Sequence, residues 1–132
     1  MEADVKPFSL SQTCPAAGNT VVATITGLDG NYDILSMQVS VVNNGTDAFL
    51  IELKTHRDGE WISYLSGTDF DTASSNLLFC STTGPQELAA DGAALVVCNI
   101  RKAWGVRISA SGTAGDDTGV VTVQGLLTPG GL

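Results

Sequence analysis

Short runs in which apolar and polar residues alternate recur along the whole chain. The clearest run covers residues 34–43, where Leu35, Met37 and Val39 face one way and Ser and Gln residues face the other. A period of two is that of a β-strand with one buried face and one exposed face. Other apolar or alternating runs predict strands at residues 20–26, 48–55, 60–65, 77–81, 104–111 and 119–127. Residues 94–100 are a fully apolar run, which predicts a strand in the centre of a sheet.

Turn-forming residues separate these runs. Residues 43–47 are NNGTD, and Asn, Gly and Asp tolerate the positive φ angles of a tight hairpin turn. Residues 56–59, HRDG, have the same character and predict a second turn. Residues 34–65 are therefore expected to form a three-stranded antiparallel meander, whereas the polar stretch 66–75 suits a long loop or a crossing between sheets.

The number and spacing of these strands predict the fold class. Seven to eight short strands with frequent turns indicate an all-β protein, a two-sheet antiparallel β-sandwich of immunoglobulin-like or jelly-roll topology. The sandwich domain is expected to span residues 20–127, with residues 128–132 as a C-terminal tail. Residues 1–19 show no periodicity and are expected to form an extended N-terminal arm, which either frays or becomes ordered on a neighbouring subunit.

The composition and net charge of the chain exclude several classes of protein and of partner. The chain has 132 residues, the length of one domain, with 14 acidic and 6 basic residues and a net charge of -8. With 43% hydrophobic and 15% charged residues, it is too apolar to be a disordered acidic tail. The longest apolar run, residues 93–98, is too short to cross a membrane. We therefore expect no membrane as partner. Because an acidic chain does not neutralise phosphates, we expect no nucleic acid as partner either.

The three cysteines, Cys14, Cys80 and Cys98, are an odd number, whereas disulfide frameworks normally use an even number. The first residues, MEADVKPFSL, lack the basic start and apolar stretch of a signal peptide, so synthesis in the cytoplasm and free thiols are expected. Cys80 and Cys98 lie in apolar runs and are expected to be small buried hydrophobic residues, with a Cys80–Cys98 disulfide as the alternative. No CxxC motif or Cys/His spacing indicates zinc.

Carboxylates in the loops raise the question of a calcium site. Asp29, Asn31 and Asp33 have the spacing that opens an EF-hand loop, but Ile34 and Ser40 occupy the positions that need Gly and Glu. Two further carboxylate pairs are chemically able to bind calcium: Asp69 with Asp71, and Asp116 with Asp117. Turn residues in contact with solvent are the simpler interpretation, so we expect no metal and no cofactor.

The sequence contains no recognisable motif of catalytic residues. His56 is the only histidine, and no G-x-S-x-G motif supplies a serine nucleophile for it. Glu52 is expected to point outward from a strand, without the apolar pocket that a catalytic carboxylic acid requires. The sequence therefore predicts that the protein is not an enzyme.

Three aromatic residues, Trp61, Tyr64 and Trp104, are candidates for the platform of a carbohydrate-binding sandwich. Trp61 and Tyr64 are an odd number of positions apart on one strand, so they are expected to point to opposite faces. A core tryptophan beside an exposed aromatic residue is the usual outcome. A carbohydrate- or receptor-binding adhesion module is the alternative function.

Three stretches within residues 33–127 resemble small bacteriophage virion proteins: DILSMQVSVVNNGTDAFLIELKTHRDGEW, PQELAADGAALVV and VRISASGTAGDDTGVVTVQG. In the last, a strand ending in small residues meets a Thr/Gly/Asp loop and a final Val/Thr strand. Such proteins are β-sandwiches that decorate capsids or build head fibres and tail parts. The resemblance implies a non-enzymatic structural protein of the virion, synthesised in the host cytoplasm. It would be a homo-oligomer that binds the surface of a phage capsid or tail assembly through contacts with other virion proteins.

On this interpretation the extended ends of the chain make the contacts between subunits. An extended segment can add to an exposed sheet edge of a neighbour, so both termini are suited to this task. The residues expected at these contacts are Pro7, Phe8, Leu10, Pro15 and Leu132.

Overall fold

The computed structural model describes residues 5–13, 20–42, 46–66, 77–81, 92–112 and 119–129. These residues form nine β-strands: β1 (Lys6–Thr13), β2 (Thr20–Ile25), β3 (Ile34–Val42), β4 (Thr46–Lys54), β5 (Ile62–Ser66), β6 (Leu77–Ser81), β7 (Ala93–Asn99), β8 (Gly105–Gly112) and β9 (Val120–Thr128). Within these ranges no helix is long and apolar enough to cross a membrane.

The strands form two antiparallel sheets. Sheet A has five strands in the order β1-β9-β3-β7-β6, and sheet B has four in the order β2-β8-β4-β5. The first strand therefore pairs with the last, the second with the eighth, and the third with the seventh. These pairs form one long antiparallel ribbon that winds around a single core. The strand order is that of a jelly roll, with β6 added at one edge of sheet A.

This architecture confirms the all-β, two-sheet antiparallel sandwich and, of the two expected topologies, selects the jelly roll. The expected three-stranded meander over residues 34–65 is wrong: β4 pairs with β5 in sheet B, but β3 lies in sheet A between β9 and β7, so the chain crosses from one sheet to the other after β3. The stretch assigned to an extended arm contains β1, which pairs along its length with β9 of the same chain. Because β1 lies at an edge and most of its side chains are exposed, it lacks the one-sided burial that produces a clear alternating pattern.

The core lies between the inner faces of the two sheets. The alternation predicted for β3 is observed, since Leu35, Met37, Val39 and Val41 are all buried. The fully buried side chains of Ile51, Val106 and Ile108 from sheet B complete the core, with Leu127 from sheet A and with Leu28 and Ile100 from the connections between strands.

Three connections are tied together by backbone hydrogen bonds at one end of the sandwich. The Trp104 amide donates to the Lys54 carbonyl (2.8 Å), and the Leu28 amide donates to the Trp104 carbonyl (2.9 Å). Arg101 and Lys102 adopt positive φ angles of 58° and 56°, which turn the chain sharply between β7 and β8. Trp104 is therefore held in place between the β2–β3 connection and the end of β4.

Cys98 is a buried free thiol, as expected from its apolar run. The strand register argues against the alternative Cys80–Cys98 disulfide, because Cys98 is opposite Leu77 whereas Cys80 is opposite Leu95. The two cysteines are offset by three residues, or about 10 Å along the strand, and a disulfide needs Cα atoms closer than about 7 Å. Cys14 and the side chain of Cys80 lie outside the described residues.

Candidate functional site

The outer face of sheet B carries a compact group of aromatic and charged side chains, here called the tryptophan cluster: Trp61, Trp104, Lys54, Arg107 and Glu52. The two charged residues of β4 are one pleat apart, so both point outward, and β8 supplies the arginine. Each tryptophan lies just before a strand, β5 or β8. Strand pairing therefore brings together residues from three separate segments of the chain.

Arg107 and Glu52 form a two-pronged ion pair across the centre of sheet B. The Arg107 Nε and Nη2 atoms donate to the two carboxylate oxygens of Glu52 at 2.9 and 3.0 Å. The two residues are direct Cα partners on β8 and β4. Their side chains are 28% and 13% exposed, so the pair is partly shielded from water and its geometry is well defined.

Both basic side chains of the cluster lie against indole rings. The Arg107 guanidinium is 4.8 Å from the Trp61 ring centre. The Lys54 ammonium is 5.5 Å from the Trp61 ring centre and 5.6 Å from that of Trp104. These distances are typical of cation–π contacts, in which the negative ring face attracts the cation. Lys54 thus lies near both tryptophans of the chain.

Gly105 gives the Trp61 ring its place on the sheet. Gly105 is the direct partner of Lys54, and a Cβ atom built on it would lie 3.1 Å from Cη2 of Trp61. The indole therefore extends from the beginning of β5 across β4 and covers Gly105, which is buried as a result. The missing side chain at position 105 lets the ring lie close to the backbone of β8.

The outer face of sheet A, here called the neutral face, has the opposite character. The five strands that form sheet A contain a single charged residue, Lys6. Lys6 is opposite Leu127, whose side chain is buried in the core, so Lys6 is on the inner side of its strand. The described outward side chains of sheet A are therefore all uncharged.

Apolar side chains on the neutral face are exposed and aligned across the strands. Leu126, Ser36, Val97 and Leu78 occupy one row across β9, β3, β7 and β6. Leu126 and Leu78 are 44% and 47% exposed, and Leu95, two residues from Val97 on β7, is 43% exposed. The β7 run predicted to be fully apolar and central is thus internal to its sheet, but one of its faces is open to solvent.

The polar side chains of the neutral face bond to one another. The Ser11 and Thr122 hydroxyls are 2.7 Å apart, and the Gln124 amide donates to the Ser9 hydroxyl at 3.1 Å. These bonds connect β1 to β9 through side chains as well as through the backbone. They satisfy polar groups within the face, which lowers the cost of removing water from it.

The residues expected at subunit contacts occupy different positions. Pro7 points to the neutral face, because its partner on β9 is Leu126. Phe8 and Leu10 are on the inner side of β1, where Phe8 packs against the core and Leu10 remains 38% exposed at the sheet edge. Pro15 and Leu132 lie outside the described residues.

The aromatic residues divide between two faces, as the odd spacing of Trp61 and Tyr64 predicts. Tyr64 packs against the core and its hydroxyl is buried without a hydrogen-bond partner. The prediction of a core tryptophan is wrong. Of these three aromatic residues, Tyr64 lies on the inner side of sheet B, and both tryptophans lie on its outer side. Sequence reasoning missed Lys54, Gly105 and Arg107, whose only sequence signal is alternation on their strands.

Carboxylates and the histidine form no metal centre in the described part of the chain. No group of three or more His, Cys, Asp or Glu side chains is placed to hold a metal ion there. His56 is exposed in its turn, and its Nδ1 is 2.9 Å from the Thr55 hydroxyl. The two carboxylate pairs considered for calcium fall in residues 69–71 and 116–117, outside the described ranges.

Comparison with known proteins leaves the function to be argued from the molecule itself. No protein-family model, curated protein or solved structure matches the chain. The bacteriophage virion resemblance therefore stays a prediction.

Proposed function

We propose that the chain is a non-enzymatic structural protein of a virus particle, one that joins a phage capsid or tail assembly through its neutral face. The single observation that carries this proposal is the absence of charge from the described outer side of sheet A in a chain whose net charge is -8. Its partners are other virion proteins, including further copies of the same chain.

Charge favours this face for contacts between copies. Two chains that each carry a charge of -8 repel one another. The repulsion is least where acidic groups are farthest from the contact, and the strands of sheet A contain none. Depletion of charged residues is also what distinguishes the centre of a protein interface from the remaining surface.

The size of the neutral face suits a specific contact. Five strands about 4.8 Å apart, each with roughly seven residues rising about 3.3 Å, give a projected area of roughly 600 Å². A standard interface buries about 800 Å² on each partner. The exposed leucines Leu78, Leu95 and Leu126 supply its apolar part, and the Ser, Thr and Gln side chains supply polar contacts.

The jelly-roll strand order is compatible with a structural protein of a virion, but it is not specific to that class of protein. Jelly rolls occur in viral capsid subunits, and also in lectins and cupins. Function resides in sites and surfaces rather than in the fold, so this likeness is an analogy. The neutral face supplies the specific support.

The experiment places one positive charge at a time on either sheet. Leu95→Lys and Leu126→Lys put a charge on the neutral face, whereas Val21→Lys puts one on the outer side of sheet B at a position with the same exposure, 43%, as Leu95. We expect the wild type and Val21→Lys to form the same oligomer in sedimentation velocity and to be incorporated into particles. The two sheet A variants should remain monomeric and be absent from particles.

Two outcomes would contradict the proposal. One is a monomeric wild type that mass spectrometry does not detect in particles made from the genome that encodes it. The other is equal incorporation of all three lysine variants. Deletion of residues 1–18 is a poorer test, because it removes β1 from the edge of sheet A and would disturb the fold together with any contact.

A further inference from the structure

We propose that the tryptophan cluster binds an acidic carbohydrate, with Lys54 pairing with a sugar carboxylate and the two indoles contacting the sugar ring. This function is separate from assembly through the neutral face, since the cluster is on the other sheet. It locates the carbohydrate-binding alternative on the outer face of sheet B and predicts that the ligand is negatively charged.

The two basic groups of the cluster differ in their pairing. Arg107 is neutralised by both carboxylate oxygens of Glu52. Within the described ranges, no carboxylate lies within 4 Å of the Lys54 ammonium, and its recorded ring contacts are with Trp61 and Trp104. A cation between two indoles retains donors for an incoming anion, and charged hydrogen bonds are the stronger ones.

The two indoles provide a surface for the uncharged part of the ligand. Trp61 and Trp104 are each partly exposed, and both lie within 6 Å of the same ammonium group. Sugar rings present apolar C–H groups on their faces, and large amphipathic indoles bury such groups while polar atoms at the edge stay hydrated. A ligand with a sugar ring and a carboxylate matches both parts of the cluster.

The cluster is held in place before any ligand arrives. Trp61 is confined by Gly105 beneath it and by the guanidinium of Arg107, which Glu52 fixes. Trp104 is fixed at its backbone by hydrogen bonds to Lys54 and Leu28. A site with few side chains left to order loses less entropy on binding.

Most basic residues of the chain lie at this end of the molecule, but acidic residues accompany them. Five of the six basic residues of the chain lie in β4, β8 or the turns that adjoin them: Lys54, Arg57, Arg101, Lys102 and Arg107. Glu52, Asp58 and Glu60 lie in the same strand and turn, and Asp29 and Asp33 lie in the adjoining β2–β3 connection, so the formal charges at this end balance. The attraction for an anion therefore rests on Lys54 itself. Binding to one site is therefore expected to be weak, with dissociation constants of roughly 0.1–1 mM, and to gain strength from many copies on one particle.

Tryptophan fluorescence, excited at a wavelength that tyrosine does not absorb, reports on this site alone, because the chain has two tryptophans and both belong to the cluster. The probes are trigalacturonate and its methyl ester, which share the sugar backbone but differ in charge. Sodium acetate supplies a carboxylate without a sugar. We expect trigalacturonate to shift the emission and to bind at least about fivefold more tightly than the ester, the effect of about one charged hydrogen bond at a partly exposed site. Acetate at the same carboxylate concentration should have no effect.

Lys54 variants test the assigned role. Lys54→Gln should weaken trigalacturonate binding at least about fivefold and leave ester binding unchanged, whereas Lys54→Arg keeps the charge and should retain binding. Lys6→Gln, on sheet A, is the matched control for net charge and should bind like the wild type. A thermal melt of each variant shows that it is folded.

Three results would overturn the inference. The first is an emission spectrum that 10 mM trigalacturonate does not change. The second is equal affinity for trigalacturonate and its ester, since charge would then play no part. The third is an equal response to acetate, which would identify a general anion effect rather than a sugar site. None of these results bears on assembly through the neutral face.

Discussion

The indole of Trp61 lies directly on Gly105, with its Cη2 atom 3.1 Å from the point where a Cβ atom would stand. One residue precedes β5 and the other begins β8, and β4 lies between them in sheet B. The contact holds one side of the tryptophan cluster because the ring that rests on Gly105 also contacts Lys54 and Arg107. The smallest residue at one position thus determines where the largest residue can lie.

Gly105→Ala should displace the Trp61 ring. The added methyl group would be 3.1 Å from the indole and 3.3 Å from the Ile25 carbonyl oxygen, which is closer than ordinary packing allows. We expect a loss of about 1–2 kcal/mol in the free energy of unfolding, measured by urea denaturation, and a red shift of the tryptophan emission.

The control for this prediction is the double variant Gly105→Ala with Trp61→Phe. A smaller ring leaves room for the methyl group, so the cost of Gly105→Ala should be at least halved in the Trp61→Phe background. Equal costs in the two backgrounds would mean that the two side chains are not coupled as described.

Glu52→Gln should weaken sheet B and loosen the cluster. The substitution keeps the shape of the side chain but removes the charge that Arg107 pairs with at 2.9 Å. Since Arg107 is 28% exposed, solvent screening reduces the effect, and we expect a loss of about 1 kcal/mol in unfolding free energy. Glu60→Gln, at an exposed position, should change stability by less than about 0.5 kcal/mol. A Glu52→Gln variant as stable as Glu60→Gln would show that the ion pair contributes nothing.

Gly125→Ala should be among the most damaging single substitutions in sheet A. A Cβ atom at Gly125 would stand 2.6 Å from Met37 Cα and would also overlap the Ser36 carbonyl oxygen. Because both obstacles are backbone atoms, β3 and β9 would have to separate. We expect a loss of about 3 kcal/mol in urea denaturation, whereas Gln124→Ala at the adjacent exposed position loses one exposed side-chain hydrogen bond and should cost no more than about 1 kcal/mol. A mild effect at Gly125 would contradict the close approach of the two strands.

Alternation predicts strands well wherever one face is buried and the other is polar. Residues 34–43 were such a case, and β3 runs from Ile34 to Val42. It says less where both faces are of one kind: β1 exposes most of its side chains, and β7 carries apolar residues such as Leu95 on its open face. The neutral face could therefore not be recognised before the sheets were known, since an apolar run is equally typical of a strand buried on both sides.

The tryptophan cluster depends on pairing that no local pattern specifies. Glu52 and Arg107 are 55 residues apart, and they meet because β4 lies beside β8 in the wound ribbon. A register shift of one residue would place them on opposite sides of their strands. The sequence therefore supplied the aromatic candidates and the outward direction of Glu52, but the partners Lys54, Gly105 and Arg107 required the register.

The buried thiol of Cys98 should make the protein less stable at alkaline pH, and one substitution separates this effect from that of the other titrating groups. Burial raises the pKa of its thiol from 9.0 to about 12. Below pH 9 the thiol is protonated in both the folded and the unfolded chain, so its contribution to stability is complete. As the pH rises above 9, only the unfolded chain releases the proton, and the free energy of unfolding should fall by about 1.4 kcal/mol per pH unit until the folded thiol ionises.

Urea denaturation at pH 8 and pH 10 under reducing conditions tests this prediction. The free energy of unfolding should fall more between the two pH values in the wild type than in Cys98→Ala. The variant retains every other titrating group, so equal losses in the two proteins would contradict the prediction.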